Sequence, residues 1–162
     1  MIQVVGGSGD VACADVSCDG VTAGGVAADG VAGKGVTFAG VVVDGDKRGR
    51  LLGFPTANIA VAEGGDVSVP ADGVYACWVS FPPEATRYGA TVSIGDNPTF
   101  DDVTDRRVEA FVHDLTADLY GRSIVVSIAG RLRSMVRCAS LDELILRTAE
   151  DVERSRVLLA GG

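Results

Sequence analysis

Gly45-Asp46-Lys47-Arg48-Gly49-Arg50-Leu51-Leu52-Gly53-Phe54-Pro55-Thr56-Ala57-Asn58 is the most informative stretch of this 162-residue chain. Glycines at 45, 49 and 53 let the backbone approach a ligand closely, and their amides suit phosphate oxygens. Lys47, Arg48 and Arg50 add positive charge to a chain whose formal net charge is -8. Pro55 fixes one dihedral, which presents Thr56 and Asn58 in a defined way. A hydroxyl and an amide carbonyl are hard oxygen donors of the kind Mg²⁺ accepts. On spacing alone, a glycine-rich, solvated surface turn accounts for the same residues nearly as well.

Outward from this stretch, short apolar runs alternate with Gly, Pro and Asp from Phe38 onward, the texture of an all-β barrel or sandwich. Strands are expected over residues 37–43, 73–81, 88–94, 107–114 and 123–132, and five or six strands would close a small barrel. Leu141, Leu144, Ile145, Thr148, Val152, Val157 and Leu158 recur at helical spacing. Ser140 with Glu143 three residues later is a capping-box signature, so a C-terminal helix is expected to begin there.

The residues before Phe38 have a different character. Valine recurs every five positions from Val11 to Val41, and glycine does so from Gly20 to Gly45. A period of five matches neither helix nor strand. Residues 1–36 therefore read as a tail or the remnant of an upstream domain, with a short pentapeptide solenoid as the minor alternative. Gly7-x-Gly9-x-x-Ala12 lacks the βαβ frame that a dinucleotide fingerprint needs. Residues 37–162 form the expected domain.

Bulk properties narrow the function. A chain of this length can bury one core without metal or disulfide support. Its acidic balance, with a pI near 4.5, argues against nucleic-acid binding. Cys13, Cys18, Cys77 and Cys138 contain no C-x-x-C pair, and the single His113 completes no zinc set. No run of ~18 apolar residues and no basic leader occurs. These features imply a cytoplasmic protein with reduced thiols and no membrane partner.

Motifs then arrive in a recognisable order. Residues 49–58 resemble the signature of the riboflavin kinase family, which also supplies the C-terminal module of bacterial bifunctional FAD synthetases. Pro70-Ala71-Asp72-Gly73-Val74-Tyr75-Ala76, Gly95-Asp96-Asn97-Pro98-Thr99-Phe100, Val108-Glu109 and Asp118-Leu119-Tyr120-Gly121 resemble its later elements. Arg133, Ser140, Leu144 and Asp151 fit its closing strand and helix. The resemblance covers roughly Phe38 to Leu159, about three quarters of the chain.

This resemblance implies a mainly β fold: a six-stranded antiparallel Greek-key barrel with a C-terminal helix. It implies phosphorylation of riboflavin at the ribityl 5′-hydroxyl to give FMN, with ATP as co-substrate and Mg²⁺ as cofactor. Glu109 becomes the base, although taken alone it reads as a solvated strand carboxylate. Thr56 and Asn58 become the metal donors. Gly45, Lys47, Arg48, Gly49, Arg50, Gly53, Pro55, Thr56 and Asn58 form the nucleotide loop, and Arg133, Cys138 and Leu144 contact flavin.

Two positions depart from the family. His113 replaces the usual leucine and is expected to be a buried, neutral, hydrogen-bonded histidine. Cys138 replaces a phenylalanine, removing aromatic packing beside the helix that helps form the flavin pocket. Those departures leave two alternatives: a non-catalytic flavin or nucleotide-binding module, or a kinase acting on a flavin analogue. Tyr75 and Trp78 read as core more readily than pocket. FAD formation is not expected, because the residues before the barrel hold neither the length nor the histidine of an adenylyltransferase.

Overall fold

The computed structural model describes residues 35–45, 53–61, 69–95 and 106–161. Six strands occur in it: β1 (Thr37–Val43), β2 (Ala57–Val61), β3 (Gly73–Ser80), β4 (Arg87–Gly95), β5 (Arg107–Val112) and β6 (Ser123–Arg133). One helix, α1 (Leu141–Ala160), follows them. The periodic residues 1–34 lie outside the described residues, as do Lys47, Arg48, Gly49 and Arg50.

All neighbouring strands are antiparallel and close in the order β1-β2-β5-β4-β3-β6. Within that ring β3, β4 and β5 are consecutive neighbours and β6 returns beside β3, which is a Greek key. Closure gives every strand of the ring two ladder neighbours. The expected barrel and helix are thus both present.

Alternation along the strands builds the core. Phe38 and Val42 of β1, Tyr75, Cys77 and Val79 of β3, and Ala90, Val92 and Ile94 of β4 point inward. Val108, Ala110 and Val112 of β5 join Ile124, Val126 and Ile128 of β6. Phe81 and Leu119, each fully buried, enter this core from the segments just beyond β3 and just before β6. Tyr75 is a core residue, as expected, and its hydroxyl donates to the Ala71 carbonyl at 2.5 Å. Trp78 instead lies at the surface side of β3, with the Arg87 guanidinium 5.3 Å from its ring centre. Burial without a charge partner pushes the Cys77 thiol up, so it remains a protonated packing group.

Helix α1 lies across the outer face of β3, β4 and β6. Ser140 caps it by accepting the Glu143 N–H at 3.2 Å. Glu143 returns to the Ala139 N–H at 2.8 Å, one residue earlier than a regular capping box. The buried face consists of Asp151, Val152, Ser155 and Leu159. Val157, assigned to the apolar stripe from sequence, is 67% exposed. The reason is angular: Ser155 and Leu159 lie one turn apart, and Val157 falls between them on the opposite side.

Two polar residues on the buried face have partners. Ser155 donates to the Ala90 carbonyl at 3.1 Å, and Asp151 receives the Arg133 guanidinium from β6 at 2.7–3.0 Å. Glycines admit the helix closely: a Cβ at Gly130 would stand 3.0 Å from Leu158, and one at Gly89 would stand 3.1 Å from Leu159. Among the described residues, no helix is long and apolar enough to cross a membrane.

Candidate functional site

Sequence reading treats residues 45–58 as one loop, and the structure corrects this. The last two residues open β2, where Ala57 turns into the core and Asn58 turns outward. Small residues had concealed the alternation of Ala57, Ile59 and Val61 with Asn58 and Ala60. Placing Asn58 on a strand fixes it against β5, because Asn58 stands directly opposite Glu109 in the β2–β5 register. Directly opposed residues share a face with side chains close together.

Glu109 lies on the outer face of β5, since Val108 and Ala110 point into the core. Its other cross-strand neighbour is Ser93 of β4. Thr56, just before β2, donates its hydroxyl to Glu109 Oε2 at 3.4 Å. The chain therefore gathers a hydroxyl, an amide and a carboxylate from positions 56, 58 and 109 onto one patch. A threonine that donates its proton to a carboxylate still has lone pairs for a second partner.

Gly45 completes this patch by having no side chain. A Cβ there would stand 1.8 Å from Asn58 Nδ2 and 2.4 Å from its Cγ, so the Gly45 backbone lies directly on the Asn58 amide. Asp44 Oδ1 accepts the Gly45 N–H at 3.0 Å and the Tyr120 hydroxyl at 3.0 Å. The Asp118-Leu119-Tyr120-Gly121 turn thereby anchors the base of the glycine-rich stretch. Gly121 takes φ +71° there and donates to the Val42 carbonyl at 2.8 Å. Gly53, at φ +81°, is a second position whose backbone favours glycine.

The β2–β5 ladder stops after Ala57↔Ala110 and Asn58↔Glu109. Beside it opens a cleft of about 290 Å³, lined by Asp44, Gly45, Asn58, Arg106, Arg107 and Val108, among others. The two arginines escaped the sequence reading. Position relative to Glu109 was the available signal, because Arg107 sits two residues earlier on the same strand face. Arg106 binds Asp72 Oδ1 at 2.8 Å and also donates to the Pro70 carbonyl, tying β5 to the Pro70-to-Gly73 segment.

Phe54 and Phe111 meet edge to face at 5.6 Å, and Phe111 lies 5.8 Å from the His113 ring. This row runs along the outer face of β5 away from Glu109. His113 is buried, as expected, with its Nε2 2.9 Å from Thr91 Oγ1. Burial first, and the Arg156 guanidinium second, lower its pKa from 6.5 to about 4, while Asp114 opposes them. The imidazole is neutral at pH 7.

The three residues expected to contact flavin are gathered less clearly. Arg133 is committed to Asp151 through Nε and Nη2 and to the Ser134 carbonyl through Nη1. Cys138 is buried just before α1, and Leu144 is half-buried in its first turns. Cross-strand register connects this end of the helix to Glu109, since Glu109, Ser93, Val74 and Arg133 occupy successive strands in one row.

Topology and appended helix define a small closed Greek-key barrel with one outer-face helix. Within that class the chain belongs to the riboflavin kinase family: the Flavokinase family model, described as riboflavin kinase, matches residues 32–159. A bifunctional riboflavin kinase/FMN adenylyltransferase of Escherichia coli K12 is 41% identical over 110 residues, covering 68% of this chain and 34% of that protein. One from Listeria monocytogenes is 34% identical over 119 residues, covering 74% and 37%. The chain thus spans about a third of the length of these curated relatives. Among solved structures, riboflavin kinase from Trypanosoma brucei is similar with a TM-score of 0.51 and 28% identity, covering 76% of this chain and 79% of that one.

Proposed function

We propose that this domain transfers the γ-phosphoryl group of ATP to the ribityl 5′-hydroxyl of riboflavin, producing FMN and ADP. One observation carries the reading: Thr56, Asn58 and Glu109, which are distant in sequence, share one outer-face patch beside a cleft bordered by Gly45 and Arg107.

An alcohol attacking a γ-phosphorus needs an acceptor for its proton and stabilisation of the charge that develops on the phosphate oxygens. Glu109 accepts the proton from the 5′-hydroxyl. Thr56 orients that carboxylate by hydrogen bonding, a contact of a kind that tightens once substrate is bound. Thr56 Oγ1 and Asn58 Oδ1 would be the protein donors for Mg²⁺. Their neutral character fits an ion held largely by substrate phosphates and water, and among the described residues no group of three acidic, Cys or His side chains forms a dedicated cage. Held there, the ion would supply positive charge to offset that of the substrate phosphates.

The flavin follows from the cross-strand row. From Glu109 to Arg133 the row crosses three interstrand steps, roughly 14 Å around the barrel. That span is comparable to an extended riboflavin running from its 5′-hydroxyl to the far edge of its ring. Cys138 and Leu144 then border the ring, and Arg133 contributes by holding α1 through Asp151. Free thiols at Cys77 and Cys138 suit a cytoplasmic setting.

The test is turnover with riboflavin, ATP and Mg²⁺, comparing wild type with Glu109→Gln. FMN formed over many turnovers and lost in the variant is expected. Tight FMN binding by wild type without turnover would instead identify a binding module.

A further inference from the structure

We infer that Arg107 is a phosphate-binding residue, supplying the cation that meets the nucleotide's terminal phosphates in the cleft beside Asn58. The inference rests on the kinase reading of that patch and adds to it a residue outside the glycine-rich stretch.

Strand geometry comes first. Core-facing Val108 and Ala110 fix the alternation of β5, so Arg107 and Glu109 share its outer face two residues apart. Arg107 lines the cleft together with Gly45 and Asn58. A group held by Asn58 and reacting beside Glu109 therefore lies within reach of the Arg107 side chain. On β4 the residue paired with Arg107 is Gly95, so no cross-strand side chain occupies that flank.

Arg106 and Arg107 both line the cleft, and both have interaction partners. Arg106 binds Asp72 and the Pro70 carbonyl, which gives it a positioning role at the barrel rim. The cleft's acidic member, Asp44, directs Oδ1 toward the Gly45 N–H and the Tyr120 hydroxyl. A guanidinium presents planar, paired donors matched to phosphate oxygens. In a chain of net charge -8, such a cation beside the transfer site offsets the repulsion a polyphosphate would meet.

The experiment measures binding of ADP with Mg²⁺, and of adenosine, to the full chain and to Arg107→Ala and Arg107→Lys, with FMN formation measured in parallel. Arg107→Ala should weaken ADP by about tenfold or more while leaving adenosine affinity and the thermal midpoint unchanged. Arg107→Lys should recover part of the loss. Equal losses for ADP and adenosine, or unchanged ADP affinity, would overturn the assignment even if wild type makes FMN. Failure of wild type to bind ADP at all would overturn the kinase reading together with it.

Discussion

Gly45→Ala should separate stability from function. The added Cβ would stand 1.8 Å from Asn58 Nδ2, far inside the 3.0 Å that real Cβ contacts respect, so the Asn58 amide must move by more than an ångström. Only the end of a side chain has to shift, and an altered rotamer costs on the order of 1 kcal/mol. A displacement of that size in a group that positions a reacting phosphate costs roughly 100-fold in turnover. The assay pairs urea denaturation with initial rates of FMN formation. Gly35→Ala is the control: Gly35 has φ +88° and nothing within 4 Å of the added Cβ, so the change brings strain of about 1–2 kcal/mol without touching the site. Its turnover per folded molecule should match wild type. Wild-type turnover by Gly45→Ala would refute the reasoning, because it would show that the Asn58 amide position is irrelevant.

His113 gives a pH prediction. Its folded pKa of about 4 lies below the unfolded 6.5, so the unfolded chain binds the proton first as pH falls. Stability should drop by up to ~3 kcal/mol between pH 6.5 and pH 4 and level off below. His113→Leu should remove that part of the slope in urea titrations at pH 7 and pH 4.5, and an identical slope in the variant would contradict it. The Arg133–Asp151 pair gives another. Either Arg133→Ala or Asp151→Ala should cost about 3 kcal/mol by leaving a charge largely buried, whereas replacing both with Met and Leu should cost much less. Equal losses for single and double replacements, read from urea midpoints, would argue against it.

Much of the barrel is legible because strand alternation is clean where large apolar residues mark the core face. Tyr75, Cys77 and Val79, or Ile124, Val126 and Ile128, show their period directly. β2 is hidden because it is short and places the same residue type on both faces, Ala57 inward and Ala60 outward. The buried face of α1 is likewise obscured: Asp151 and Ser155 look like surface residues until Arg133 and the Ala90 carbonyl supply their partners.

At the site, the identities of Thr56, Asn58 and Glu109 come from motif resemblance, but their meeting is a matter of register. Periodicity alone does not tell that Asn58 pairs with Glu109. The Gly45 contact with Asn58 and the rim clamp of Arg106 on Asp72 are tertiary facts with no local signature. His113 was readable, since a lone histidine on an otherwise apolar strand end needs a partner, and Thr91 provides it.

The most direct test of the account incubates purified protein with riboflavin, ATP and Mg²⁺ and follows FMN and ADP by chromatography, beside Glu109→Gln. Equal amounts of FMN and ADP over many turnovers from wild type, falling at least ~100-fold in a variant with unchanged thermal midpoint, are predicted. No FMN from folded, ligand-binding wild type, or undiminished turnover in Glu109→Gln, would contradict it.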